Sequence, residues 1–364
     1  MRAVVVGAGM YGLACAERMA RGGADVTVVE RAQPAHPQAA SGGITRVLRF
    51  EYGDDERFTD LTIRARERWI AVGELTGRVL FDQRGVVHFA RGEGDHAFER
   101  ASYELVAARG LPIELVEPDE LARRHPEFCL DGVRFGLSSP FGGILWARRA
   151  TETWADLARA AGVTIRPGAE VLEAANGVVR LANGERLRGD VVVLCTSAWS
   201  SGIDPRLAPI VPRRQVTAYF DLDLSTIPVF ASGLTLYGFP AHDGMGVKLA
   251  LHRILDGEIG DPSDPALREP TELDIERIRE VASSFLPGIA TSAVEMAEVC
   301  YYAMTPDERP VIDWLDERTL VCAGLSGHGF KFSCTLGEHV GAHALGLDAG
   351  ISLEGFELTR PVLL

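Results

Sequence analysis

The sequence has no apolar run approaching the ~20 residues that a membrane-spanning helix needs, although 46% of it is hydrophobic, ample for a core. It is poor in cysteine. Six in 364 residues, at positions 15, 129, 195, 300, 322 and 334, are too few for a disulfide scaffold at this length. None is spaced as the C-x-x-C pair of a zinc site, and no metal is expected. It lacks an excess of positive charge: a net charge of −14 and a pI near 5.2 leave no basic stripe to meet phosphates, which argues against nucleic acid. The local cluster Arg64, Arg66 and Arg68 reads as the solvated face of a helix. The first strand begins at residue 2, which leaves no room for a signal peptide, so the expected address is the cytoplasm. No internal repeat is present, and the length predicts roughly two domains.

What is there begins at residue 2. Ala3 to Val6 reads as a buried strand, and Gly7, Gly9 and Gly12 follow it with G-x-G-x-x-G spacing, just before a helical run from Leu13 to Arg21. Gly7 suits the tight turn, Gly9 removes a side chain so that a pyrophosphate can approach the backbone, and Gly12 lets helix and strand pack closely. The helix N-terminus then faces the phosphates. Gly22-Gly23 stops the helix, a second strand runs from Asp25 to Val29, and Glu30 at its end is placed to bind ribose hydroxyls. A lone G-x-G-x-x-G is often an ordinary glycine-rich turn. Strand, helix, second strand and acid together point to a dinucleotide.

In chain order, Gln33 to Gly43 is a Pro/Ala/Gly-rich crossing, of a length rarely without function. Apolar spacing predicts a helix from Asp55 to Val72, a hairpin from Val79 to Ala90 around Gln83-Arg84-Gly85, helices over Asp95–Arg109 and after Pro118, and another from Leu145 to Ala161. Val163 to Val193 reads as a meander of short strands, with hairpin signals at Asn176-Gly177 and Asn183-Gly184. Strands dominate from Arg213 to Leu251; Thr271–Phe285 is a helix and Ala293–Tyr302 a strand. The strand Leu320–Ala323 feeds the glycine-rich turn Gly324–Lys331 and a last helix, Thr335–Leu347.

The chain resembles the monomeric sarcosine oxidase and N-methyltryptophan oxidase family of flavoenzymes, within the D-amino-acid-oxidase-like group. The matching stretches are Val4–Gly12 with Glu30, Thr45–Arg49 with Tyr52-Gly53, Ser197-Ala198-Trp199, Tyr237–Pro240, Val247–His252, Cys300–Tyr302 with Thr305–Glu308, and Ser326–Phe332. They span nearly the whole chain, and the later ones are far more specific than the glycine motif. The resemblance implies an α/β fold (α+β overall) in which a Rossmann-like FAD-binding domain, residues 1–78, 147–212 and 303–364, is interleaved with a mixed-sheet substrate domain, residues 79–146 and 213–302.

It also implies roles. FAD would be met by Gly7, Gly9, Met10, Tyr11, Gly12, Glu30 and Arg31, by Ser41, Thr45 and Arg46, by Val171, Ala198 and Trp199, and by Gly327, Gly329, Phe330 and Lys331. Arg46 resembles the arginine beside the flavin ring, and the 327–331 segment the one whose amides meet the ring where reduction develops negative charge. Arg49 and Lys331 resemble the pair that grips the substrate carboxylate, although by themselves they also read as a surface arginine and a helix-capping lysine. Lys248 matches the oxygen-activating lysine. Alternation puts Lys248, Ala250 and His252 on one face of their strand, and a half-exposed strand would look the same. His252, Tyr237 and Tyr302 match polar residues lining the substrate site. Cys300 matches the cysteine bonded to the flavin 8α carbon, which requires a thiolate; an unpaired strand cysteine is otherwise commonly a small buried hydrophobe.

The chain departs from the family where relatives carry a histidine pair: here stand Ser41-Gly42, with Ile44 in place of a polar residue, which bears on flavin attachment and on the identity of the substrate. The reading is an FAD-dependent oxidase of a secondary, N-methyl or cyclic α-amino acid, giving an imine and hydrogen peroxide. Its partners are that amino acid and O2, with no membrane and no nucleic acid, and a monomer is expected. A flavin dehydrogenase using another electron acceptor, or a flavin-binding subunit without turnover, are the alternatives.

Overall fold

The computed structural model describes residues 1–363 except 233–234, 253–258 and 349. The valine-rich run Arg2–Val6 is the centre of a six-stranded sheet ordered Val311–Asp316, Thr319–Ala323, Val191–Leu194, Arg2–Val6, Asp25–Val29, Thr164–Arg166. Every neighbouring pair is parallel except the first. Strands buried on both faces need no polar alternation, and Val191–Leu194 and Thr319–Ala323 are buried throughout. Because these strands run the same way, the turns that follow Val6, Leu194 and Ala323 all leave the sheet at its carboxyl edge, where open α/β sheets bind ligands.

The helix Met10–Arg21 follows the first turn, and Gly7 there has φ 102, with an ideal Cβ only 2.5 Å from the Cys195 carbonyl oxygen. Only glycine fits. On its other side the helix lies against Ser333–Ala344, where Gly337 and Gly341 bring the backbones together. Helix Glu56–Thr76, capped by Asp55 and ended by Gly77, buries Trp69 edge-on to Trp154 of helix Ala147–Ala160.

A second sheet of eight strands runs in the order Val294–Met304, Val211–Phe220, Val247–Leu251, Leu236–Phe239, Val229–Ser232, Val86–Arg91, Val133–Ser139, Glu114–Val116. Its outer face packs on helix Glu272–Ser283, which opens with a Thr271/Asp274 capping box. The meander is present as Val171–Ala175, Val178–Leu181 and Arg186–Arg188, turning at Asn176-Gly177 and across 182–185.

The hairpin expected around Gln83–Gly85 does not form. Phe81–Asp82 pairs with Gly143–Trp146, whereas Val86–Arg91 pairs with Val229–Ser232 and Val133–Ser139. Val86–Arg91 is a central strand with a partner on each side, so long-range pairing overrides the local turn signal. For the same reason residues 145 and 146 are strand, pairing with Thr45 and Arg46, and the helix starts at Ala147. Arg64 is exposed as expected, whereas Arg66 and Arg68 are half-buried: Arg66 reaches the Phe141 carbonyl and Gln83, and Arg68 pairs with Glu338.

An ideal Cβ at Gly341 would lie 2.5 Å from the Cys15 carbonyl oxygen, a backbone atom that cannot step aside alone. Gly341→Ala is therefore expected to lower stability by about 1–3 kcal/mol, the cost of overpacking, in a urea melt. Gly202→Ala, whose Cβ meets nothing within 4 Å, should leave the midpoint unchanged.

Candidate active site

At the carboxyl edge of the parallel sheet lies a cavity of about 840 Å³. Its floor is the glycine turn Gly7–Tyr11, and the Glu30 carboxylate at its side is fixed by two amides, Ala8 N–H at 2.8 Å and Ala32 N–H at 2.9 Å. Arg31 lies over the Trp199 indole at 4.2 Å, and Trp199 Nε1 donates to Ser263 Oγ at 2.9 Å. Tyr11 Oη donates to the Gly329 carbonyl at 2.8 Å, tying the first helix to the last glycine-rich turn. The motifs at the two chain ends thus form one wall.

A second cavity, of about 110 Å³, opens beside it over the eight-stranded sheet. Arg46, Cys300, Tyr302, Gly327 and Phe330 line both and mark the junction. Arg46 is held there by the Thr45 and Ala40 carbonyls, each at 2.8 Å. Alternation along Val294–Met304 turns Glu298, Cys300 and Tyr302 inward and leaves Val299 and Tyr301 to the core behind. Tyr237 Oη lies 3.5 Å from Tyr302 Oη, with the His252 ring 6.3 Å from one ring and 5.9 Å from the other. Burial raises both phenols above their ordinary range, so they remain protonated.

Lys331 is 3% exposed. Its Nζ donates to Tyr52 Oη at 2.7 Å and to the His328 carbonyl at 2.8 Å, and Trp69 Nε1 donates to the Lys331 carbonyl at 2.8 Å. Burial, and then the nearby Arg49, push this amine well below its ordinary value. His328 Nε2 lies 2.8 Å from the Glu308 carbonyl, so it carries the proton, and Nδ1 is left facing Tyr52 Oη at 3.4 Å. Burial, and then Lys331, hold this imidazole neutral, down to about 3. Arg49 donates to the Glu51 carbonyl and stacks 4.6 Å over Tyr52.

Lys248 is 2% exposed in a strand buried throughout, which excludes the half-exposed strand. Nζ reaches the Thr45 carbonyl at 3.2 Å and Thr45 Oγ1 at 3.4 Å, and lies 5.1 Å from the Phe239 ring. Burial, and then Arg46, bring its amine down to about 7. Burial raises the Cys300 thiol, and Arg46 and Lys248 only partly oppose it.

A family model described as DAO, FAD dependent oxidoreductase, matches residues 2–342. The chain belongs to that family. It is 29% identical over 380 residues to the monomeric sarcosine oxidase of Bacillus sp. (strain B-0618), covering 99% of this chain and 96% of that one. It is also 29% identical over 374 residues to the N-methyl-L-tryptophan oxidase of Yersinia pestis (strain Pestoides F), covering 98% of each. The fold is that of L-proline dehydrogenase from P. horikoshii, with TM-score 0.86, 23% identity and coverage of 99% and 97%.

The residues of this FAD dependent oxidoreductase fit the cofactor. The larger cavity lies toward the upper end of the ~300–1,000 Å³ usual for ligand sites, and Ser41 Oγ is buried there with no hydrogen-bond partner among the described residues. Of the residues expected at FAD, Gly7, Gly9, Met10, Tyr11, Glu30 and Arg31 line this cavity. So do Ser41, Arg46, Val171, Ala198 and Trp199, and, at its far end, Cys300, Gly327, Gly329 and Phe330. Gly12 does not; it packs beneath the turn, where a Cβ would meet the Gly7 carbonyl. Thr45 and Lys331 line the smaller cavity instead. A side chain at Gly42 would overlap the His36 carbonyl, at 1.9 Å from its Cβ, so this path of the loop leaves room only for glycine there.

Two things were missed in the sequence. The segment Ile259–Ser263, which closes over the larger cavity, carries no local signal. The other had one: of 37 Lys and Arg residues only two are lysine, Lys248 and Lys331. A chain that uses arginine for every other cation keeps lysine where a compact, deprotonatable amine is wanted. Labelling the holoenzyme with ¹³Cε-lysine should therefore give two resonances, both titrating below the ordinary lysine range, with Lys248, assigned from its Met variant, titrating at about 7. A Lys248 signal that stays charged to pH 10 would contradict the buried position of the amine.

Proposed function

We propose that this enzyme oxidises the C–N bond of a secondary, N-methyl or cyclic α-amino acid to an imine and passes the two electrons to O2, giving H2O2. The observation that carries the reading is the junction of the two cavities. There a pair of cations, Arg49 and Lys331, stands in a pocket that adjoins the FAD cavity at Arg46, Cys300 and Gly327. FAD, when bound, supplies the redox chemistry, taking a hydride equivalent from the carbon beside nitrogen.

The chain's own groups bind and orient. The Arg49 fork and Lys331 Nζ hold the substrate carboxylate; charge-assisted bonds in a dry pocket are the strong kind. Tyr52, which receives Lys331, keeps the ammonium aimed when no anion is present. Tyr237 and Tyr302, as neutral phenols, orient the amine, which must be uncharged to release its lone pair. Lys248 offers a cation where superoxide character develops during reaction with oxygen, and this favours the oxidase over the dehydrogenase reading. Attachment of the flavin at Cys300 is supported by its place at the junction, although burial, only partly opposed by Arg46 and Lys248, keeps the thiol raised. With this reading go a monomer and the two-domain division 1–78, 147–212 and 303–364 against 79–146 and 213–302. The strands of the eight-stranded sheet lie in the second set apart from the ends of Val211–Phe220 and Val294–Met304.

Lys331→Met should weaken carboxylate substrates by about 1.5–3 kcal/mol, the range for hydrogen bonds to charged groups, and the corresponding amides much less; equal losses for acid and amide would remove the clamp. In stopped flow, Lys248→Met should slow the reaction of reduced enzyme with oxygen by ~10²–10³, with a smaller effect on anaerobic reduction by substrate. Wild-type speed in that variant would exclude Lys248 as the oxygen site. Acid-precipitated protein should stay yellow, with the colour on the peptide that contains Cys300. Release of all flavin to the supernatant would exclude the covalent bond.

A further inference from the structure

His88 lines the smaller cavity and stands beside a buried carboxylate, Glu51, that the oxidation does not use. Glu51 is fully buried and His88 is 4% exposed, and His88 Nε2 lies 3.3 Å from Glu51 Oε2, within ion-pair reach. Neither carboxylate oxygen has a well-aligned hydrogen bond among the described residues. Burial pushes the carboxyl up, but His88 and then Arg49 outweigh it and bring it down to about 2, so Glu51 is an anion. A buried charge must be paired to be tolerated, and His88 is the close partner.

The sheet register shows where His88 stands. His88 is opposite Ala231, Ala231 opposite Tyr237, Tyr237 opposite Ala250, and Ala250 opposite Thr217. Residues aligned across a sheet share a face, and His88, Ala231, Tyr237 and Thr217 all line the smaller cavity. With strands ~4.8 Å apart, His88 lies two strands, or about 10 Å, from Tyr237. The residue between them is only an alanine. Tyr237, at the flavin end, thus shares its floor with an imidazole beyond a gap that a short side chain can span.

Charge decides what that side chain carries. The basic residues lining the cavity, Arg46, Arg49, Lys248 and Lys331, outnumber its carboxylate, Glu298, and the single α-carboxylate of a substrate together. We propose that His88, held beside Glu51, is a second anion subsite that selects amino acids whose side chain ends in a carboxylate. This specificity rests on the amino acid oxidase reading given above.

Glutarate and butyrate, which carry no oxidisable amine, can be titrated into oxidised holoenzyme and followed by the flavin difference spectrum. Glutarate should bind about 10-fold or more tighter than butyrate, as a hydrogen bond to a charged group implies. The ratio should fall toward 1 in His88→Leu and should shrink in Glu51→Gln. Taking the ratio within each variant cancels any general loss of fold or cofactor. Equal binding in the wild type, or a ratio unchanged in His88→Leu, would overturn the subsite. Anaerobic flavin reduction by N-methylglutamate and N-methylnorvaline separates the two readings. Faster reduction by N-methylglutamate supports the subsite, and equal or faster reduction by N-methylnorvaline overturns it while leaving the oxidase reading intact. Reduction by no amino acid at all would remove the oxidase reading, and the subsite with it.

Discussion

Lys331 is an amine taken out of water with, among the described residues, a phenol and a backbone carbonyl to receive it. Removing a charge from water costs several kcal/mol even after relaxation, and here the nearest strong charge, Arg49, is of the same sign. Such a site is poor for folding and good for holding an anion. Much of the neighbouring structure serves to keep it in place. Trp69, from the helix Glu56–Thr76, fixes the Lys331 carbonyl; Tyr52 fixes Nζ; and His328, neutral and anchored on the Glu308 carbonyl, supports Tyr52. In the proposed reading, an arriving carboxylate would gain two charge-assisted contacts and lower the repulsion between the two cations.

The two sheets make this arrangement possible for different reasons. The parallel sheet brings three turns distant in sequence, after Val6, Leu194 and Ala323, to one edge because its strands share a direction. The antiparallel sheet provides a floor on which side chains at alternate positions of six strands point the same way. Its inward row carries titratable groups: Lys248, His252, Tyr237, Tyr302, Cys300, Glu298 and His88. Burial favours the uncharged form of a titratable group. It lowers Lys248 and Lys331 and raises Cys300 and both tyrosines. Glu51 is the exception, because His88 and Arg49 outweigh its burial.

The dinucleotide turn was legible because its chemistry is local: three glycines, a helix and an acid at fixed spacing determine the shape that meets the phosphates. The false hairpin at Gln83–Gly85 shows the limit of local signals, since the strands on either side find better partners more than a hundred residues from the turn in one case and in separate sheets in both. Lys248 was legible as a face but not as a depth; alternation cannot distinguish a strand facing water from one facing a cavity, and the scarcity of lysine was the clue that could. The Glu51–His88 pair had no sequence signal, because the residues are joined only by the packing of the strand Val86–Arg91 beside the loop that carries Arg49. Ser41-Gly42 was visible as a departure, but the crowding of position 42 by the His36 carbonyl emerges only from the path of the loop.

The central claim is that an amine is oxidised at the junction of these cavities and that oxygen takes the electrons. Oxygen uptake and H2O2 release, recorded together while the holoenzyme is given a panel of secondary, N-methyl and cyclic α-amino acids, test it most directly. At least one carboxylate-bearing member should consume oxygen and release an equal amount of H2O2, and its amide should be much slower. Reduction of an artificial electron acceptor with no oxygen uptake by any member of the panel would contradict it and make the enzyme a dehydrogenase.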